Sequence, residues 1–210
     1  MRGAIVGCVV LAACASEPGA PSRREGHAAV VRDVARELGL GNAALLAGIA
    51  DAETHLAQCW SEATYGCRGP VSSACDGPVL AGSADGPCAD MQGGLGMFQF
   101  DAGTWSDTLA TYGDGVLSDA GSTRLAVPFV AAAVMRDVPG ISDPAAALAW
   151  LDRVPIVDGD ATFAQWSRIM ACRYNGCCAD TALCASRAAG YRDHTRAVYA
   201  GFGAAFWAAP

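Results

Sequence analysis

The stretch Asn42-Ala43-Ala44-Leu45-Leu46-Ala47-Gly48-Ile49-Ala50-Asp51-Ala52-Glu53-Thr54 reads as a helix from Ala43 to about Leu56, with Asn42 placed to cap it. Leu45, Leu46, Ile49 and Ala50 form its apolar stripe. Glu53 follows Ile49 by four residues, Ala50 by three and Leu46 by seven, so it stands on that stripe near the C-terminal end. A carboxylate there is costly unless it is paired or holds a proton at raised pKa. A general acid needs that second condition at neutral pH. The plainer alternatives are a carboxylate tied to an arginine and a helix-end glutamate in solvent.

The chain has five glutamates, Glu17, Glu25, Glu37, Glu53 and Glu62. Glu17 falls on a polar tail, Glu25 on a capping position, and Glu37 shares a solvent face with Asp33. Glutamate-based chemistry therefore rests on Glu53, with Glu62 second. His55 lies about 200° around the helix from Glu53 and is not expected to share its site.

Outward from this helix the pattern stays helical. Ser22 and Glu25 have capping-box spacing, and Val30, Val31, Val34, Ala35 and Leu38 follow at helical intervals until Gly39 and Gly41. Further helices are expected from Asp101 or Thr104 to about Tyr112, then at about 122–137 with a bend at Pro128, and at 144–153, 161–173 and 186–207. Residues 59–93 have no periodicity, are rich in Gly, Ser, Pro and Asp, and hold four cysteines. They read as a disulfide-tied insertion. The expected class is all-α, with at most a tiny β-hairpin.

The composition limits the functional classes. The 210 residues carry a formal net charge of −7, with no lysine, 52% hydrophobic and 17% charged residues. Such a chain is long and apolar enough to bury a core and is not disordered. Without clustered basic residues it is a poor nucleic-acid binder. It is read as a monomer with no cofactor.

Ala4–Ala13 is an apolar run after Arg2, too short to span a bilayer and of signal-peptide length. Leu11-Ala12-Ala13-Cys14 resembles the bacterial lipobox, which makes Cys14 a lipidation site and anchors the chain to a membrane. Ordinary cleavage after Ala15 also satisfies the pattern. Residues 1–14 are thus assigned to the signal region, 15–24 to a flexible tether and 25–210 to one catalytic domain. Both routes export the chain, either as an outer-membrane lipoprotein facing the periplasm or cell surface, or as a secreted protein.

Of the 10 cysteines, Cys8 leaves with the signal region and Cys14 is taken up by the anchor or tail. Cys59, Cys67, Cys75, Cys88, Cys172, Cys177, Cys178 and Cys184 remain as four disulfides, paired mainly within each cluster of four, with room for one bridge between clusters. No C-x-x-C occurs and the three histidines are scattered, so no metal is expected.

Two further segments carry polar chemistry. Gly93-Gly94-Leu95-Gly96-Met97-Phe98-Gln99-Phe100-Asp101 lets a backbone approach a ligand closely and offers Gln99 as donor and acceptor. Arg173-Tyr174-Asn175-Gly176 ends a helix and presents either amide contacts or a simple C-cap. In this order, Glu53-Thr54, Gly94-Leu95-Gly96-Met97-Phe98-Gln99 and Tyr174-Asn175 resemble the lysozyme-like superfamily, and within it the soluble-type lytic transglycosylases and goose-type lysozymes. The likeness spans about residues 25–207. It departs from the family pattern in Thr54, where Ser is usual, in Gly96, which interrupts the run, and in the Cys-rich insertion.

The resemblance implies a lysozyme-like helical domain acting on peptidoglycan glycan strands at the β-1,4 bond between N-acetylmuramic acid and N-acetylglucosamine. It makes Glu53 the catalytic acid. Gln99, Tyr174 and Asn175 would line the sugar cleft, with Met97 and Phe98 packed beside the acid. Asp101, following the Gln-Phe pair, matches an Asp that goose-type enzymes use in placing water; Asp85 and Asp90 are further candidates. A lyase forming a 1,6-anhydro product and a hydrolase both fit, as does a non-catalytic envelope-binding protein on the same fold.

Overall fold

A computed structural model describes residues 22–63, 66–82, 88 and 93–209. The signal region, Cys14, most of the tether, Asp85 and Asp90 lie outside the described residues. The described chain is mostly helical, with one two-stranded antiparallel sheet. None of its helices is long and apolar enough to cross a membrane.

Helix α1 (Arg23–Glu37) starts where the Ser22 hydroxyl accepts from the Glu25 amide at 3.2 Å. Helix α2 (Ala44–Thr54) is the centre of the molecule. Every residue from Ala44 to Asp51 is buried, not only the expected stripe, because neighbours cover it on all sides. Asn42 does not cap α2. Its Nδ2 donates to the carbonyls of Leu151 (3.3 Å) and Val154 (2.9 Å), tying the α1–α2 turn to the end of a later helix.

Helices α3 (Trp105–Tyr112), α4 (Asp119–Asp137), α5 (Pro144–Asp152) and α6 (Ala161–Arg173) follow, each with a polar N-cap: Thr104, Ser118, Asp143 and Asp160. Thr104, not Asp101, caps α3. The single helix expected at 186–207 is two, α7 (Ala182–Phe202) and α8 (Ala204–Ala208), broken where Gly203 takes φ +82°. A side chain resists that conformation and glycine does not.

Helix α7 packs against α2 and α6. The α2–α7 contact is unusually close, because a Cβ added to Gly48 would lie 1.9 Å from Thr195 Oγ1 and 2.6 Å from its Cα. The core gathers Leu45, Leu46, Ile49, Phe98, Phe163 and Trp166, all fully buried.

The insertion folds as a hairpin, β1 (Cys67–Ser72) with β2 (Gly77–Ala81). Cys59–Cys75 and Cys67–Cys88 hold it, while Cys172–Cys178 and Cys177–Cys184 tie the α6–α7 connection. All four bridges lie within their clusters and none joins the two. Four disulfides suit a chain exported to an oxidising compartment.

His27 fastens α1 to both the insertion and α4. Its Nδ1 lies 2.9 Å from Asp119 Oδ2, and its Nε2 lies 3.1 Å from both oxygens of Glu62. Burial disfavours its charge, but the hydrogen bonds and charges of the two carboxylates outweigh this and raise its pKa to about 9.

Candidate functional site

The three segments singled out in the sequence meet around the end of α2. Glu53 is half-buried there, and Thr54 beside it is buried. The Thr54 hydroxyl donates to Ala50 O (3.1 Å) within its helix and to Met97 O (3.0 Å) in the glycine-rich segment. The hydroxyl of Tyr174, at the end of α6, donates to the neighbouring carbonyl of Phe98. The middle segment is therefore held by its backbone from both sides.

That segment is a tight turn over residues 96–99, closed by Leu95 N to Phe100 O at 2.9 Å and joined to β2 by Gly96 N to Leu80 O at 2.9 Å. Gly96 takes φ +69°, and a Cβ there would come within 2.6 Å of Val116 O and 2.8 Å of Gln58 Oε1. The interruption of the run by Gly96 is thus a packing requirement. Buried Gln58 completes the support, accepting from Met97 N at 2.9 Å and donating to Val116 O at 3.1 Å.

Met97 and Phe98 are fully buried, so their side chains belong to the core. Their contribution is the pair of carbonyls that receive Thr54 and Tyr174. Asp101 is exposed and accepts from Gly103 N at 2.7 Å, which makes it a turn residue ahead of α3. Gln99 is half-buried at φ +50°, with its Nε2 donating to Gly96 O at 2.7 Å. Glu62 is committed elsewhere. It faces His27 and accepts from the Gln58 and Cys59 amides, each at 3.0 Å, and these bonds hold its pKa low against the effect of burial.

Tyr191 on α7 is the residue missing from the sequence reading. Its hydroxyl donates to Glu53 Oε1 at 2.6 Å, and Asn175 Nδ2 donates to the same hydroxyl at 3.4 Å. Burial, then the Glu53 charge, then this hydrogen bond push the Tyr191 pKa up, so the phenol stays a donor. Burial foremost, and the Glu53 charge next, act the same way on Tyr174. The Tyr174 ring sits edge-on to Phe129 (5.3 Å) and Tyr191 (6.5 Å), which fixes the wall behind Glu53.

A signal for Tyr191 does exist in the sequence. Ala188, Tyr191, Thr195 and Val198 recur at intervals of three and four and form the buried stripe of α7. A tyrosine on such a stripe needs a polar partner for its hydroxyl.

A cleft of about 170 Å³ opens beside Glu53, with Asn175, Arg187, Tyr191 and His194 among its lining residues. Among the described residues that line it, Glu53 is the one carboxylate and Arg187 the one arginine. The arrangement gives a carboxyl group with one oxygen fixed by a phenol, beside a cation that can meet an acidic ligand. No protein-family model matches the chain, and neither the curated proteins nor the solved structures give a match.

Proposed function

We propose that this protein cleaves the β-1,4 bond between N-acetylmuramic acid and N-acetylglucosamine in peptidoglycan, on a lysozyme-like helical domain, with Glu53 as both acid and base. The observation that carries the proposal is the tie of all three motif segments to the end of α2: Thr54 to Met97, Tyr174 to Phe98, and Asn175 through Tyr191 to Glu53.

Tyr191 donates to Oε1 of Glu53, which enters the proposed reaction carrying the acid proton. Glu53 gives that proton to the bridging oxygen as positive charge grows on the muramic acid ring, and the N-acetylglucosamine end departs as an alcohol. The carboxylate then takes the proton of the C6 hydroxyl while O6 bonds to C1. This closes a 1,6-anhydro ring and returns Glu53 to its acid form. One carboxyl group serves both steps. The turn role of Asp101 favours this lyase course over a hydrolase that uses that residue as its second acid. Arg187 at the cleft meets the carboxylates of the muramic acid or its peptide.

The test is purified peptidoglycan digested by the wild type and by Glu53→Gln. Wild type releases 1,6-anhydro-ended muropeptides, and the variant loses at least about 100-fold in rate. Reducing ends in place of anhydro ends overturn the lyase course. An inactive wild type, or an undiminished variant, overturns the enzyme reading.

A further inference from the structure

We propose that Asp51, His55 and His194 form a binding site for a divalent late first-row transition metal ion such as Zn²⁺, on the flank of α2 next to the glutamate cleft. The inference is independent of the reaction assigned to Glu53. One ligand atom from each of the three residues lies within 4.8 Å of the others. Asp51 lies in the last turn of α2, and His55 is the residue that caps its end. His194 comes from α7, brought near by the Gly48–Thr195 contact.

The donor set, two imidazoles and one carboxylate, suits Zn²⁺ or a neighbouring ion and leaves a coordination position open. The thiols that would compete for such an ion are taken up in disulfides at all eight described cysteines. A tetrahedral Zn²⁺ site holds adjacent ligand atoms about 3.4 Å apart, so rotation of the two imidazoles completes it. Asp51 Oδ2 and His194 Nδ1 are already 2.8 Å apart. The metal replaces the proton they share. Arg24 donates to Oδ1 at 2.7 Å and orients the carboxylate for ligation through Oδ2.

One observation separates this from a plain aspartate–histidine pair. The pair does not need His55, yet its ring stands 5.8 Å from that of His194. The left-handed C-cap of α2, with His55 at φ 56° and Leu56 at φ 65°, sets where His55 leaves the helix. The proposed site pins α2 to α7 one turn beyond Tyr191.

The test titrates Zn²⁺ by calorimetry into tag-free full-length protein freed of metal by chelation. Wild type is expected to bind one ion per chain, and saturation raises its thermal midpoint by several degrees. His55→Ala and His194→Ala each weaken binding at least tenfold. His55 is exposed, so its variant tests the site even if His194→Ala folds poorly. Absence of saturable binding to wild type, or binding unchanged in His55→Ala, overturns the proposal. Neither readout depends on peptidoglycan cleavage, so its failure and that of the enzymatic reading are distinct.

Discussion

Tyr191 donates to Oε1 of Glu53 at 2.6 Å, from the middle of one helix to the end of another. A donated hydrogen bond favours the ionised carboxylate, so its removal lets Glu53 hold its proton to higher pH. Under the proposed cleavage, Tyr191→Phe moves the alkaline limb of the activity profile on peptidoglycan upward, and the rate at the optimum falls about tenfold as Glu53 loses its orientation. A profile identical in shape to wild type contradicts this role.

Thr54 makes its bond to Met97 O at 3.0 Å in a buried setting. Thr54→Val preserves shape but leaves that carbonyl without its donor. The expected loss is about 1–3 kcal/mol in urea unfolding. Thr54→Ser, which keeps the hydroxyl, should lose less.

Gly48 is the contact point of α2 and α7. Gly48→Ala puts a methyl 1.9 Å from Thr195 Oγ1, and the helices must separate. The expected cost is about 3 kcal/mol or more, read as a fall in thermal midpoint. Adding Thr195→Ala recovers only part of it, because the Thr195 Cα also lies 2.6 Å from the new methyl.

The His27 cluster makes stability depend on pH. Its folded pKa of about 9 lies above the ordinary histidine value of 6.5, so the stabilisation is complete below pH 6.5 and is lost as pH rises toward 9. The amount at stake is on the order of 3 kcal/mol, shared with its two carboxylates. Glu62 and Asp119 have lowered pKa values, so their contribution is present above the ordinary carboxylate range and is lost on acidification. Denaturant unfolding from pH 6 to 10 should show a decline in wild type that His27→Gln removes. An equal decline in the variant points to other groups.

The central helix and its carboxylate were legible because burial and periodicity coincide at Leu45, Leu46, Ile49 and Glu53. The caps Ser22 and Thr104 were equally local, and α5 and α6 lie close to their expected bounds. A tiny hairpin was allowed for, but its place and register were not legible. Pro70 and Pro78 sit in its strands, Gly69 and Gly77 dilute its pattern, and disulfides rather than alternating side chains hold its register. The meeting of Asp51 with His194, and of Glu53 with Tyr191, depends on how α7 lies across α2. No local signal encodes that crossing.

The disulfides interleave. Cys67 opens its bridge before Cys59 has closed with Cys75, and Cys177 lies inside the span from Cys172 to Cys178. An oxidant that joins thiols in their order of emergence during secretion would couple Cys59 to Cys67 and Cys172 to Cys177. Both products are wrong. The native pattern therefore depends on thiol exchange after first oxidation, and a host lacking a disulfide isomerase should accumulate scrambled isomers.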